Sequence, residues 1–166
     1  MHPVTAGYAS GMTTRNPAKL IPASFVDTPS TSWLSALSVS AIDEPSITDG
    51  TLIYAVSSAD AVPTTAGLSA AEVAAAGFAG KASETATFAR ADGPNIALVG
   101  LGDVAQLSGD DLRDIAASAA RATAKSAQLA FVLTAHGALA PTEAARVIAE
   151  GLVLARYRYT QLQSDP

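Results

Sequence analysis

NIALVGLGDVAQLSGDDLRDIAASAARATAKSAQLAFVLT, residues 95–134, decides how this chain folds. Asn95 to Leu101 is nearly all apolar and too short for a helix, which predicts a buried strand. Ser108-Gly109-Asp110-Asp111 then caps a helix. Asp110, Asp111 and Asp114 lie near its positive N-terminal end, and Arg121 and Lys125 near its negative C-terminal end. Leu112, Ile115, Ala116, Ala119 and Ala120 recur at the spacing of one helical face, giving a single buried stripe. Gln128 to Thr134 is a second strand of the buried type. A strand, an amphipathic helix and another strand in succession is the signature of an α/β sheet.

The flanks extend the same alternation. Upstream, Thr51 to Val56 is a short β-prone run after Asp49-Gly50, and Ala36 to Ile42 alternates Leu37, Val39 and Ala41 with Ser38 and Ser40, the pattern of a half-buried strand stopped by Asp43-Glu44-Pro45. Ser69-Ala70-Ala71-Glu72 reads as a capping box opening a short alanine-rich helix that Gly77 can end in a left-handed conformation. Glu84 to Arg90 alternates again, and Asp92-Gly93 marks a hairpin-type turn or longer loop before Asn95. Downstream, Pro141 opens a third helix with Val147, Ile148, Gly151, Leu152, Ala155 and Tyr159 on its inward face. The predicted fold is a mixed sheet covered by helices on both faces, with some antiparallel neighbours from adjacent strand pairs.

At 166 residues the chain fits one domain with one apolar core. It has no cysteine, which excludes disulfides, thiolate catalysis, zinc fingers and iron–sulfur ligation. Hydrophobic residues make up 49% and charged residues 15%, far from the signature of disorder. Residues 1–34, rich in Pro, Gly, Ser and Thr, show no apolar period and read as an irregular or mobile leader, with Phe25, Val26 and Trp33 able to tack its end to the core. The leader carries +1 and the rest of the chain −6, so a nucleic-acid partner would meet net repulsion. No stretch reaches the roughly 18 apolar residues of a membrane span, and the start lacks the apolar run of a signal peptide. A soluble cytoplasmic protein is the expectation.

Candidate chemistry is sparse. Gly100-Leu101-Gly102-Asp103-Val104-Ala105 follows a strand and satisfies the letter of the dinucleotide fingerprint, yet the helix that should receive a pyrophosphate is capped later, at Ser108. The acidic ribose ligand expected at the end of the next strand is replaced by Thr134, Ala135 and His136. The favoured reading is a strand-exit turn, with nucleotide binding as its rival. His136, before Gly137, reads as a solvated loop histidine rather than a general base, and its only companion is His2. Capping and the helix dipole account for Asp110, Asp111 and Asp114 without a cation. No Gly-x-Ser-x-Gly occurs.

Three segments, in order, carry a resemblance. Gly77-Phe78-Ala79-Gly80-Lys81-Ala82-Ser83-Glu84-Thr85 resembles the Phe-x-Gly-Lys-x-Gly-Glu-Thr turn in the N-terminal domain of the leucyl (cytosol) aminopeptidase family. Ile96-Ala97-Leu98-Val99-Gly100-Leu101-Gly102 is similar to that domain's Val-Leu-Leu-Val-Gly-Leu-Gly strand, followed by a helix of the type Leu112-Arg113-Asp114-Ile115-Ala116-Ala117. Ala149-Glu150-Gly151-Leu152-Val153-Leu154-Ala155-Arg156-Tyr157-Arg158-Tyr159 resembles the helix that leads into the family's catalytic domain. Ser83 stands where the family usually has glycine, and nothing before residue 30 aligns.

The resemblance implies a macro-domain-like module at 35–160, after the leader at 1–34, with 161–166 starting a linker to a C-terminal catalytic domain. That domain would hold two divalent metals, zinc or manganese, in a homohexameric metallo-exopeptidase that releases N-terminal residues from peptides. The family's Asn-Thr-Asp-Ala-Glu-Gly-Arg-Leu signature does not occur here, since Asn16 and Asn95 are followed by Pro17 and Ile96. No catalytic, cofactor-binding or metal-binding residue is therefore assigned, and the expected role is assembly and shaping access to the parent's active sites. The alternatives are a free-standing macro-like domain binding ADP-ribose or another nucleotide at Gly100–Gly102, and a DNA-binding module, which the acidic charge disfavours.

Overall fold

Strand β1 (Thr51–Ser57) suits the inside of a sheet because both of its faces are apolar: Ile53 and Ala55 point to one side, Tyr54 and Val56 to the other, and all four are buried. The computed structural model describes residues 37–42, 45 and 47–157. Apart from Leu37 these lie in one compact unit, Ser38–Tyr159. The readings for the leader, for Phe25, Val26 and Trp33, and for Tyr159 fall outside the described residues.

With β2 (Thr85–Phe88), β3 (Asn95–Gly102) and β4 (Leu129–Leu133), β1 forms a four-stranded sheet in the order β2-β3-β1-β4. β1 is parallel to β3, with Thr51 beside Asn95 and Val56 beside Gly100, and parallel to β4, with Thr51 beside Leu129. Only β2 is antiparallel, placing Thr85 beside Val99 and Phe88 beside Ile96. The sheet is thus mixed, as the sequence predicts, and its one antiparallel pair is joined by a loop longer than a tight hairpin, with Gly93 at a φ of +82°.

Helices α2 (Gly109–Ala122) and α3 (Pro141–Arg156) cover one face. The predicted α2 stripe, Leu112, Ile115, Ala116, Ala119 and Ala120, is buried in full, and most of it packs with Val147 and Ile148 of α3 against Ile53, Ala97, Val99 and Leu101. The other face is covered more thinly, by helix α1 (Ala70–Ala75), a 3-10 turn at Thr64–Ala66, and Val62, Leu68 and Phe78 packed over Tyr54, Ile96 and Leu98. Both serine caps form as predicted: Ser69 and Ser108 each accept the amide of the third helical residue, and Glu72 and Asp111 reach back to the serine amides. Pro141 occupies the first turn of α3, where its missing N–H costs nothing.

One predicted strand is absent. The described part of Ala36–Ile42 is irregular, with Leu37, Val39 and Ile42 at 43%, 61% and 57% exposure. An alternating pattern only permits a strand; a ladder partner makes one, and this segment has none among the described residues. The order therefore begins at β1.

Candidate functional site

The part of the chain with the densest specific geometry is the turn at residues 78–84 and the end of β3 beneath it. Glu84 organises the turn: its Oε2 accepts the amides of Ala79 at 2.9 Å and Lys81 at 3.0 Å. Those donors, Ala79 foremost, hold the Glu84 carboxyl below the usual glutamate range. Lys81 to Glu84 is a β-turn closed by the Glu84 amide on the Lys81 carbonyl at 3.0 Å. Ser83, its third residue, sits at a φ of +62°. That position favours glycine, which explains the residue usual in the family and the strain in the residue present here.

The turn locks onto β3 through backbone alone. The Ser83 amide donates to the Gly100 carbonyl at 3.0 Å, the Gly100 amide to the Glu84 carbonyl at 2.8 Å, and the Gly102 amide to the Gly80 carbonyl at 2.9 Å. A Cβ on Gly100 would overlap the Lys81 carbonyl oxygen, and one on Gly80 would lie 2.8 Å from the Ser57 carbonyl oxygen. The glycines of the apparent fingerprint are there so that two backbones can touch. Their amides are already committed to protein carbonyls, so they form no phosphate cradle, and a 3-10 turn at Val104–Gln106, capped by Asp103, follows instead of the α-helix N-terminus that anion binding uses. The geometry at Gly100–Gly102 is that of a strand-exit turn.

The remaining candidates stay apart. Asp111 belongs to the α2 cap, and its carboxyl is held below the usual range by the Ser108 hydroxyl and amide. Asp110 pairs with Arg113 at 2.5 Å, and Asp114 is exposed. His136 follows β4 and is half-buried, not solvated as its loop position suggested, with Nδ1 buried and unpartnered among the described residues. Next to it Gly137, at a φ of +58°, lies close against the Val104 carbonyl. Among the described residues no three His, Asp or Glu side chains converge as metal ligands, so the metals implied by the resemblance have no fitting site here. A groove of about 320 Å³ runs past Thr87, Asn95, Arg121, Thr123, Lys125 and Ser126, which include neither an acid nor a nucleophile paired with a base.

The third resembling segment is structural too. Glu150 accepts Arg113 of α2 at 3.0 Å and also pairs with Arg146, which bonds Glu143 at 2.6 Å, an ion ladder joining α2 to α3. Beside it Gly151 lets the helices meet: a Cβ there would overlap the Arg113 carbonyl and stand 3.0 Å from Ala116 Cβ. Sequence reasoning placed Gly151 on the inward face but did not reveal this contact, nor Glu84 as the organiser of its turn. The one available signal for each was its place in a resembling motif.

A family model described as the cytosol aminopeptidase family, N-terminal domain, matches residues 54–166. The match covers most of the chain, including all three interlocking segments. The chain belongs to the cytosol aminopeptidase family. Among solved structures it is similar to the bottromycin maturation enzyme BotP, at 25% identity and a TM-score of 0.60, covering 70% of this chain and 25% of that one. The same enzyme in complex with Mn is matched at 25% identity and a TM-score of 0.59, over 69% of this chain and 24% of that one. The chain thus spans about a quarter of the length of these structures. No curated protein matches it. As a cytosol aminopeptidase N-terminal domain, the chain uses its family motifs for packing: the Gly-Lys turn seats on β3 and the Glu-Gly pair joins α2 to α3.

Proposed function

We propose that this chain serves as the non-catalytic, macro-like N-terminal domain of a leucyl aminopeptidase-type metallo-exopeptidase, acting in assembly and in shaping access to active sites carried by a catalytic domain. The proposed organisation is a leader at 1–34, the domain proper at 35–160 and the beginning of a linker at 161–166. The parent would be a cytoplasmic homohexamer that releases N-terminal residues from peptides with two divalent metals, zinc or manganese, held outside this domain. The observation that carries the reading is that Gly80, Glu84, Gly100, Gly102, Glu150 and Gly151 of the resembling segments serve backbone packing, the hydrogen bonds of a turn and interhelical ion pairs. Leu154, 67% exposed on the last turns of α3, supports a role for that helix as the mechanical link to a partner domain.

The test uses purified residues 1–166. Assayed with a leucine amide substrate and titrated with zinc or manganese by calorimetry, the chain should show neither turnover nor stoichiometric metal binding. Metal-dependent turnover that survives removal of contaminating peptidases overturns the assignment.

A further inference from the structure

Asp-Gly occurs at two places in the chain, 49–50 and 92–93. In this pair the glycine amide lies within reach of the aspartate carboxyl, and the glycine has no Cβ to hinder closure of a five-membered ring between them. The lone pair of a planar amide stands perpendicular to its N–H, so closure requires the peptide to turn its π face, not its N–H, toward the carboxyl carbon. Whether the surrounding structure permits that turn separates the two copies.

Asp49-Gly50 is held in the wrong orientation. The Gly50 amide donates to Asp49 Oδ1 at 2.7 Å, which points its N–H at the carboxylate. The Gly50 carbonyl accepts the Asn95 amide at 2.9 Å, and the Thr51 amide donates to the Gln128 carbonyl at 3.0 Å. Gly50 lies so close to that carbonyl that a Cβ would overlap its oxygen. Turning this peptide breaks bonds at the start of β1 and β3. Asp92 and Gly93, in the loop between β2 and β3, are both exposed. Among the described residues no hydrogen bond or ion pair holds the Asp92 carboxylate or the Gly93 amide, and a Cβ on Gly93 would meet nothing within 4 Å. The ends of this loop are fastened by the Arg90 amide on Asn95 Oδ1 at 3.0 Å and by the Arg90 guanidinium on the Ala66 and Gly67 carbonyls at 2.9 and 2.7 Å. Its middle can therefore react without breaking the sheet.

We propose that Asp92 is a covalent modification site, at which the backbone isomerises through a cyclic imide to isoaspartate, while Asp49 is protected by the fold. The Gly93 nitrogen bonds to Asp92 Cγ as the bond from Cγ to its hydroxyl oxygen breaks, and that hydroxyl leaves with the amide proton as water. Water then adds to the main-chain carbonyl carbon of residue 92. The bond from that carbon to the Gly93 nitrogen breaks, and the nitrogen regains a proton. The one water released is the one consumed, so the mass is unchanged and no other reactant is needed. The main chain now runs through Cβ and Cγ of residue 92, the β2–β3 link is one carbon longer, and the former carbonyl is a free α-carboxylate on an exposed loop.

The experiment ages the full chain at physiological temperature and neutral pH, folded and in denaturant, and follows two tryptic peptides by mass spectrometry. Cleavage after Arg90 and Arg113 puts Asp92 on one peptide, and cleavage after Lys19 and Lys81 puts Asp49 on another. In the folded chain the 91–113 peptide should divide into two forms of equal mass, with fragmentation placing the difference at 92, and a minor form lighter by one water. The 20–81 peptide should convert at least about tenfold more slowly, because hydrogen bonds must first be broken there. In denaturant that ratio should collapse. Asp92→Glu, whose imide would need a slower-forming six-membered ring, should abolish the isomer. Folded-state conversion at 49 as fast as at 92 overturns the proposal, as does a folded chain that stays unchanged at 92 while the denatured chain converts. Isomer persisting in Asp92→Glu also overturns it, by placing the reaction at another aspartate of that peptide.

Discussion

At Gly100 the seating of the 80–84 turn on β3 depends on the absence of one carbon atom. The Lys81 carbonyl sits where a Cβ would be, so Gly100→Ala must push the 80–84 turn off β3, and overpacking against backbone costs about 3 kcal/mol. The neighbouring Ser83→Gly should have the opposite sign. Serine at a φ of +62° pays the left-handed penalty that glycine escapes, and the turn should gain about 1 kcal/mol, less some unfolded-state entropy. Urea melts of the two variants, moving in opposite directions from the parent midpoint, check both. Glu84 gives a pH signature. Its carboxyl is held below the ordinary value of 4.5 by the Ala79 and Lys81 amides, so its contribution is present above 4.5 and lost as pH falls through its lower folded value. Glu84→Gln should be less stable than the parent at neutral pH, and the difference should shrink on acidification below 4.5; a difference constant with pH contradicts this role. The residue types at 80, 84 and 100 were legible as a motif in the sequence, but their purpose was not. A Gly-x-Gly after a strand has the same letters whether its amides face a phosphate or a neighbouring carbonyl, and only the partner distinguishes them.

The helices, their caps and strands β1 to β4 are legible in the sequence, whereas two placements that turn on a distant partner are not. The caps at Ser69 and Ser108 need only residues three apart, and the buried stripe of α2 is a property of that helix alone. The segment at 37–42 carried an equally clear strand pattern and forms none here, because a strand is completed by another stretch of chain. His136 is half-buried although its place in a loop predicts a solvated side chain. The α2–α3 crossing shows how a distant contact overrides a local preference. Helix propensity alone favours alanine over glycine at 151 by about 1 kcal/mol. The overlap with the Arg113 carbonyl is the larger effect, and Gly151→Ala should destabilise the chain by about 1–3 kcal/mol net. A thermal melt decides the sign, and a stabilised variant would show that the helices can separate without loss.

Across the molecule, the two faces of the sheet carry unequal weight. The α2–α3 side holds the larger apolar cluster, with Leu112 and Val147 fully buried against β1 and β3, whereas α1 on the other side buries none of its own residues. Stability should therefore reside in the α2–α3 layer, and the C-terminal turns of α3 should divide into an inner half that holds the fold and an outer half free for other work. Leu112→Ala removes a side chain with no solvent exposure and should cost about 2–5 kcal/mol, the usual loss for a buried leucine. Leu154→Ala removes one that is 67% exposed, and it should change stability by less than about 0.5 kcal/mol, as substitutions at open surface do. Denaturant melts of both variants at equal protein concentration make the comparison. If Leu154→Ala proves comparably damaging, the outer face of α3 is packed within this chain, and the surface proposed to meet a catalytic domain must be sought elsewhere on the fold.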